Sequence, residues 1–355
     1  MTKHIHGGDV YKYDHCLDFS ANCNPLGTPQ SVKQAIIDSV EDLSDYPRVG
    51  CGPLKEAIAD YEYTKKEYLI CGNGAADLIF SLSRALNPKK ALLPAPTFAE
   101  YEQALVSVGC EISRYYLKEE NDFCIQKDYP DVLKREKPDI IFLCNPNNPT
   151  GLLVEKPLLE KILKRCQELD ILMAVDECFL DFVPTPEKYT LKEYLETYDN
   201  LFLLKAFTKR YAMAGVRLGY GLCGNKRLLE KIEGVCQPWN VSSMAQAAGL
   251  AALQEREYVE KGRQVTFQEL AYLKEELAAL GYLVYPSQAN YVFFTGPADL
   301  YEKLEQKKIL IRDCSNYTGL SKGYYRVAVK KHEENQQLIR ALKEIDRTKV
   351  ENVIL

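Results

Sequence analysis

The chain has 355 residues, 46% hydrophobic and 27% charged, with a formal net charge of -5; this allows one large core plus a smaller lobe and excludes a disordered polar chain. Lys and Arg are dispersed, so no basic stripe offers itself to a phosphate backbone and nucleic acid is not an expected partner. No apolar run reaches the roughly 18 residues of a membrane span, and MTKHIHGGDVYKYDH holds no signal-peptide core, so a cytoplasmic location with no membrane partner is expected. The twelve cysteines are scattered without a C-x-x-C pair, and the four histidines (His4, His6, His15, His332) form no cluster with them. Reduced core thiols and no metal site are the expectation.

Up to about Leu26 the chain has no core of its own, so this segment is expected to pack on another lobe. From about Lys66, short apolar runs alternate with longer amphipathic stretches: EYLICGNG, KKALLPAPTF, CEISRYYL, DIIFLCNPNN, DILMAVDECF, NLFLLKAFT and VRLGYGLCG. Near-continuous apolar runs of this kind predict strands covered on both faces, hence a mainly parallel α/β sheet. After Trp239 comes a long helical stretch, then YLVYPSQANYVFFTG, ILIRDCSN, GYYRVAV and a last helix around 335–345, which predict a small α+β lobe. The expected division is a large domain over 38–250 and a small one built from 1–37 and 251–355.

Functional groups in such sheets gather at the carboxyl ends of strands. Four polar groups follow the runs there: GNGAAD at 72–77, NPNNPTG at 145–151, Asp176, and Thr208-Lys209 followed by Arg217. Each alone has an ordinary reading. GNGAAD can be an anion-binding turn or a helix start capped by Asp77, and it lacks the G-x-G-x-x-G spacing of a dinucleotide site. Asp176 leaves a buried strand and must be paired, by a structural cation or by a ligand. Lys209 can be a desolvated nucleophile or a lysine that snorkels to the surface.

Together these residues resemble the aminotransferase class I and II family, pyridoxal 5′-phosphate (PLP) enzymes of fold type I, over nearly the whole chain. The resemblance implies PLP as cofactor, with Lys209 as the Schiff-base lysine and Asp176 on the pyridine nitrogen. It places Asn148 at the ring hydroxyl, Phe98 against the ring, and Gly74, Ala75, Ala76, Thr208 and Arg217 around the phosphate. Tyr46 in DYPRVG matches a tyrosine that reaches the neighbouring subunit's cofactor phosphate, which implies a homodimer with shared sites. The chain departs from the pattern twice: Ala206 stands where many relatives have Ser or Thr, and Phe179 where transaminases commonly have tyrosine.

The chain ends narrow the resemblance. HGGDVYKY, LDFSANCNPLG, VDECFLDF, ILIRDCSNYTGL and YYRVAVKKHEEN are similar to the threonine-phosphate decarboxylase branch, with the histidinol-phosphate aminotransferases as its neighbours. That likeness implies a small phosphorylated amino-acid or amino-alcohol substrate, held by Arg312 and Arg326, fourteen apart, with His6, Gly8, Asn22 and Asn148. Its expected reaction is decarboxylation of L-threonine-O-3-phosphate in cobalamin biosynthesis, with amino transfer as the alternative. Two arginines suit a phosphate dianion, since one fork seldom neutralises it. A catalytically silent PLP-binding homologue and an NAD-type protein stay open.

Overall fold

The computed structural model describes residues 7–13 and 15–354, with side chains as far as Asp346. The chain runs through β1 (Leu17–Asp18), α1 (Gln30–Asp38) and α2 (Gly52–Glu62) before strands and helices alternate. These are β2 (Leu69–Gly72), α3 (Ala75–Leu86), β3 (Lys90–Ala95), α4 (Ala99–Val106), β4 (Glu111–Tyr116), α5 (Tyr129–Glu136), β5 (Ile140–Cys144), α6 (Lys156–Glu168), β6 (Leu172–Asp176), β7 (Leu201–Ala206), α7 (Phe207–Arg210) and β8 (Gly219–Leu222). There follow α8 (Lys226–Val235), α9 (Ser243–Ala252), α10 (Arg256–Ala279), β9 (Leu283–Val284), β10 (Tyr291–Thr295), α11 (Leu300–Gln306), β11 (Ile309–Leu310), β12 (Arg312–Asp313), β13 (Tyr324–Ala328) and α12 (His332–Ile354).

The seven apolar runs become one sheet in the order β2-β8-β7-β6-β5-β3-β4, in which β8 alone runs against the rest. Every residue of β5, β6 and β7 is buried, because helices cover both faces. Successive residues alternate between two cores: Leu143, Val175 and Leu203 enter one, Phe142, Ala174 and Leu204 the other. This is the mainly parallel α/β sheet that the strand pattern predicts. A second, antiparallel sheet, β12-β13-β10-β9, carries its own core around Val292, Phe294 and Val327. The N-terminal segment joins that core: β1 pairs in parallel with β11, and Phe19 is buried beside it. Val32 of α1 and Val259 of α10 lie instead in the core beneath the large sheet. The helical stretch after Trp239 is broken between α9 and α10, where no Pro or Gly marks the interruption. No helix among the described residues is long and apolar enough to cross a membrane.

Beneath β7 lies a buried ion network. Glu62 of α2 meets Lys205 of β7 at 3.3 Å, Lys192 at 3.0 Å and Arg210 of α7 at 3.6 Å, and accepts from the Tyr220 hydroxyl. Arg210 also binds Asp181 at 2.7 Å. Burial by itself raises the Glu62 carboxyl, but Lys205, Arg210 and Lys192 outweigh it and hold the group well below the usual carboxylate range. We expect Glu62→Ala to cost roughly 3–5 kcal/mol in denaturant unfolding, the penalty for stranding buried cations. Because the folded-state pKa is depressed, that penalty is fully present above the ordinary carboxylate range and shrinks only in strong acid; an unchanged unfolding midpoint near neutral pH would contradict it.

Candidate active site

The carboxyl ends of β5, β6 and β7 and the turns after β2 and β3 open onto a cavity of about 460 Å³, closed on the other side by the N-terminal segment and the small sheet. Asp176, the last residue of β6, is buried there. Its Oδ2 accepts from the Tyr101 hydroxyl at 2.6 Å and its Oδ1 from the Cys178 N–H at 2.9 Å. Burial raises its pKa, while the contacts with Cys178 and Tyr101 and the Lys209 charge pull the other way. Among the described residues no cation stands within ion-pair distance, so Asp176 is not half of a structural salt bridge. Tyr101 is itself fixed, stacked on Phe142 with ring centres 4.9 Å apart.

Lys209 lies on α7, directly after β7, and lines the cavity with its Nζ 5.6 Å from the centre of the Phe179 ring. Its main-chain carbonyl accepts from the Asn24 N–H, and the Asn24 side chain donates to the Arg210 carbonyl. Asn148 uses its Oδ1 to accept from Arg326 and from the Tyr317 hydroxyl, which leaves its Nδ2 as the group to offer a ligand. Phe98 caps α4 and meets Tyr101 edge-on at 5.5 Å.

Gly74, Ala75 and Ala76 sit where β2 turns into α3, at a helix start whose first N–H groups have no intrahelical acceptors. Gly74 has φ +81°, and a Cβ there would lie 2.5 Å from Arg217 Nη2. Arg217 therefore lies across the turn; its Nη1 donates to the Ala214 carbonyl at 3.3 Å, and it has no carboxylate partner among the described residues. Asp77 accepts from the Asn73 N–H at 3.0 Å and the Asn240 amide at 3.1 Å, so the helix-capping reading of Asp77 and the open turn coexist. Thr208 and Ala206 both line the cavity, and Ala206 brings no hydroxyl to it.

On the other wall, Arg326 of β13 donates to Asn148 and to the Ser20 carbonyl at 2.9 Å, and stands 5.3 Å from the centre of the Tyr291 ring. With its amide oxygen turned inward, Asn22 accepts from Arg326 Nη1 and Nε at 3.2 Å. Arg312 donates to the Asp313 carbonyl at 2.6 Å and to Asn316 at 2.8 Å, and lies over the Tyr317 ring. The Asp313 carboxylate is occupied by Ser315, so the contact between Arg312 and Asp313 is through the main chain. Gly8, at φ +85°, lines the cavity and donates its N–H to Ser20 Oγ at 2.7 Å. His6 lies outside the described residues. Tyr46 does not line the cavity; it is 78% exposed and stacks on Trp239 at 4.5 Å.

Sequence reasoning missed Tyr101, Glu100, Tyr317 and Asn316. Glu100 lines the same cavity, and burial pushes its pKa up to about 7. The available signal was the run FAEY directly after a strand: the first turn of a helix starting there faces the same opening as the strand end.

The family model for aminotransferase class I and II matches residues 14–342. A threonine-phosphate decarboxylase of Salmonella typhimurium is 36% identical over 352 residues, covering 96% of each chain. A histidinol-phosphate aminotransferase of Methanococcus aeolicus is 30% identical over 343 residues, 94% of this chain and 90% of that one. The crystal structure of the histidinol-phosphate aminotransferase from Clostridium acetobutylicum superposes with a TM-score of 0.87 at 32% identity, covering 93% of this chain and 99% of that one.

The tight turn generates a prediction. Gly74→Ala should lose about 1–3 kcal/mol, because the backbone conformation is one that glycine alone adopts readily, and should push Arg217 aside. Thermal unfolding and retention of bound cofactor through gel filtration report the two effects; full stability with full retention would refute the reading of this turn.

Proposed function

The chain belongs to the aminotransferase class I and II family, and from that premise we propose that it decarboxylates L-threonine-O-3-phosphate to (R)-1-aminopropan-2-ol O-phosphate. It is a PLP-dependent enzyme. The residues fit that cofactor: among the described residues the buried carboxylate is held by neutral donors and lacks the cation that a protonated ring nitrogen brings, and the Gly74 turn with Arg217 offers N–H groups and a guanidinium to a phosphate. When bound, PLP supplies an electron sink for negative charge at the substrate α carbon. Lys209 Nζ would hold the cofactor covalently, Asp176 would keep the proton on its ring nitrogen, and Asn148 Nδ2 would meet its hydroxyl. Phe98 would face the ring, and Gly74, Ala75, Ala76, Thr208 and Arg217 would take the phosphate.

The observation that carries the substrate reading is the pairing of Arg312 with Arg326 across β12 and β13, which puts two buried guanidinium groups in the wall facing Lys209. With Asn22, Gly8 and His6 they would draw the substrate phosphate to that wall. With the phosphate held on that wall, the substrate carboxylate would be left without these two cationic partners, and the bond to it would be the one to break. The greater identity to the Salmonella decarboxylase supports this, as does Phe179, which sets an apolar ring beside Lys209. Amino transfer is the second reading, favoured by the likeness to the Clostridium structure: there Arg326 would fork the substrate carboxylate and Lys209 would move the α proton. The proposal extends to the cytoplasm, to the cobalamin branch that the chain-end motifs resemble, and to a homodimer. Support for the homodimer is the exposed apolar group Leu43, Tyr46, Val49 and Trp239.

Carboxyl-labelled L-threonine-O-3-phosphate should release labelled CO2, while histidinol phosphate with 2-oxoglutarate should yield negligible glutamate; rapid glutamate formation without CO2 would sink the decarboxylase assignment. Lys209→Ala should abolish both the visible cofactor band and turnover. Arg312→Ala should weaken the phosphorylated substrate by about 1.5–3 kcal/mol and leave the band intact.

A further inference from the structure

Two acidic residues of the cavity have no role so far, Asp18 and Glu100; Asp18 Oδ1 accepts from the Ser20 N–H and hydroxyl, and Glu100 is the one that lies among the cations of the site. It occupies the first turn of α4, between Phe98, which lines the cavity, and Tyr101, which holds Asp176. The backbone that sets those two neighbours therefore sets Glu100, and it is half-buried in the same wall. Charged and titratable groups face it from several elements: Lys209 on α7, Asp176 on β6, Arg312 on β12, and Tyr317 in the loop after β12. Arg326 of β13 lines the cavity beyond them.

An ionised carboxylate at this place is awkward for a site built around anions. It would neutralise part of the field of Arg312 and repel an incoming phosphate. A protonated carboxyl does the reverse, because its O–H is a donor and it carries no charge. We propose that Glu100 receives the anionic group of the substrate as a neutral carboxylic acid, donating its O–H, so that anion binding takes up one proton from solvent onto the Glu100 carboxylate. The inference rests on the reading that this cavity holds a phosphorylated substrate beside the cofactor. It does not depend on which α-carbon bond breaks.

The raised pKa agrees with the geometry, since burial already brings Glu100 to about 7 before an anion arrives. An anion alongside raises it further. Below pH 7 the group is mostly neutral beforehand and little uptake remains; above it, the proton must be acquired on binding. Affinity should accordingly fall as pH rises above about 7, by at most about tenfold per pH unit, the limit for one linked proton.

The test uses the holoenzyme and inorganic sulfate, a dianion whose charge is constant through this range and which has no bond to react. Calorimetric titration near pH 7.5, repeated in two buffers of different ionisation enthalpy, should give an uptake of about half to one proton per sulfate bound. Glu100→Gln, a neutral carboxyl mimic, should bind sulfate with no uptake and with an affinity flat between about pH 6.5 and 8.5. Arg312→Ala should lose most of the binding while keeping the visible cofactor band. Zero uptake by the wild-type enzyme overturns the proposal without recourse to any variant, as does undiminished uptake by Glu100→Gln; sulfate binding that ignores Arg312→Ala places the anion elsewhere and overturns it too. A chain that proved to transfer amino groups would leave the sulfate result standing, so failure of the decarboxylase reading and failure of this one are separable.

Discussion

A carboxylate buried at the end of a central strand, with neutral donors as its close partners among the described residues, is the constraint from which the rest of the site follows. Asp176 is largely removed from solvent, and its partners Tyr101 and the Cys178 N–H lessen the cost of its charge without cancelling it. Tyr101 can serve because its ring is clamped against Phe142 of the neighbouring strand. That clamp fixes the first turn of α4, and with it the direction of Phe98 and Glu100. One uncompensated charge thus organises two cavity residues, Phe98 and Glu100, from a single helix start.

The reverse side of β7 is organised by the opposite principle. Lys205 and Lys209 are four residues apart around a strand end, yet their surroundings differ completely. Lys205 turns away from the cavity into Glu62 and Glu177 and is fully compensated. Arg210, next to Lys209, is tied to Asp181 and Glu62, and the Lys209 carbonyl is held by Asn24. The backbone of α7 is therefore pinned from below by charge and from the N-terminal segment by hydrogen bonds, while the Lys209 amine is left facing the cavity. A nucleophile needs this combination of a fixed stem and an uncommitted head.

Legibility in the sequence followed from how local each signal was. The seven strands of the large sheet were readable because β5, β6 and β7 are covered on both faces and must be apolar throughout, and the strand ends then placed Asp176, Asn148 and Lys209 together. The interruption between α9 and α10 was not readable, since no Pro or Gly stands at 253–255 to mark it. Nor could the chain show that Leu17–Asp18 forms a strand: two residues carry no periodicity, and their partner lies at Ile309–Leu310. Glu100 and Tyr101 escaped for a related reason. An acidic and an aromatic residue in a first helical turn read as ordinary capping and core, and only the register of that turn against β5 and β6 gives them their place.

The two walls of the cavity are not independent. Arg326 donates to Asn148, on the loop after β5, and to the Ser20 carbonyl in the N-terminal segment, so one guanidinium joins the large sheet, the small sheet and the chain's beginning. Because Arg326 and Tyr317 both donate to the Asn148 oxygen, its Nδ2 is the end of the amide that the proposed reading would turn to the cofactor hydroxyl. An anion that shifted Arg326 would therefore act on the Asn148 amide as well. On the proposed reading, substrate charge would be felt on the cofactor side of the cavity through a single amide, and the small sheet would contribute to the electronic setting of the reaction as well as to recognition.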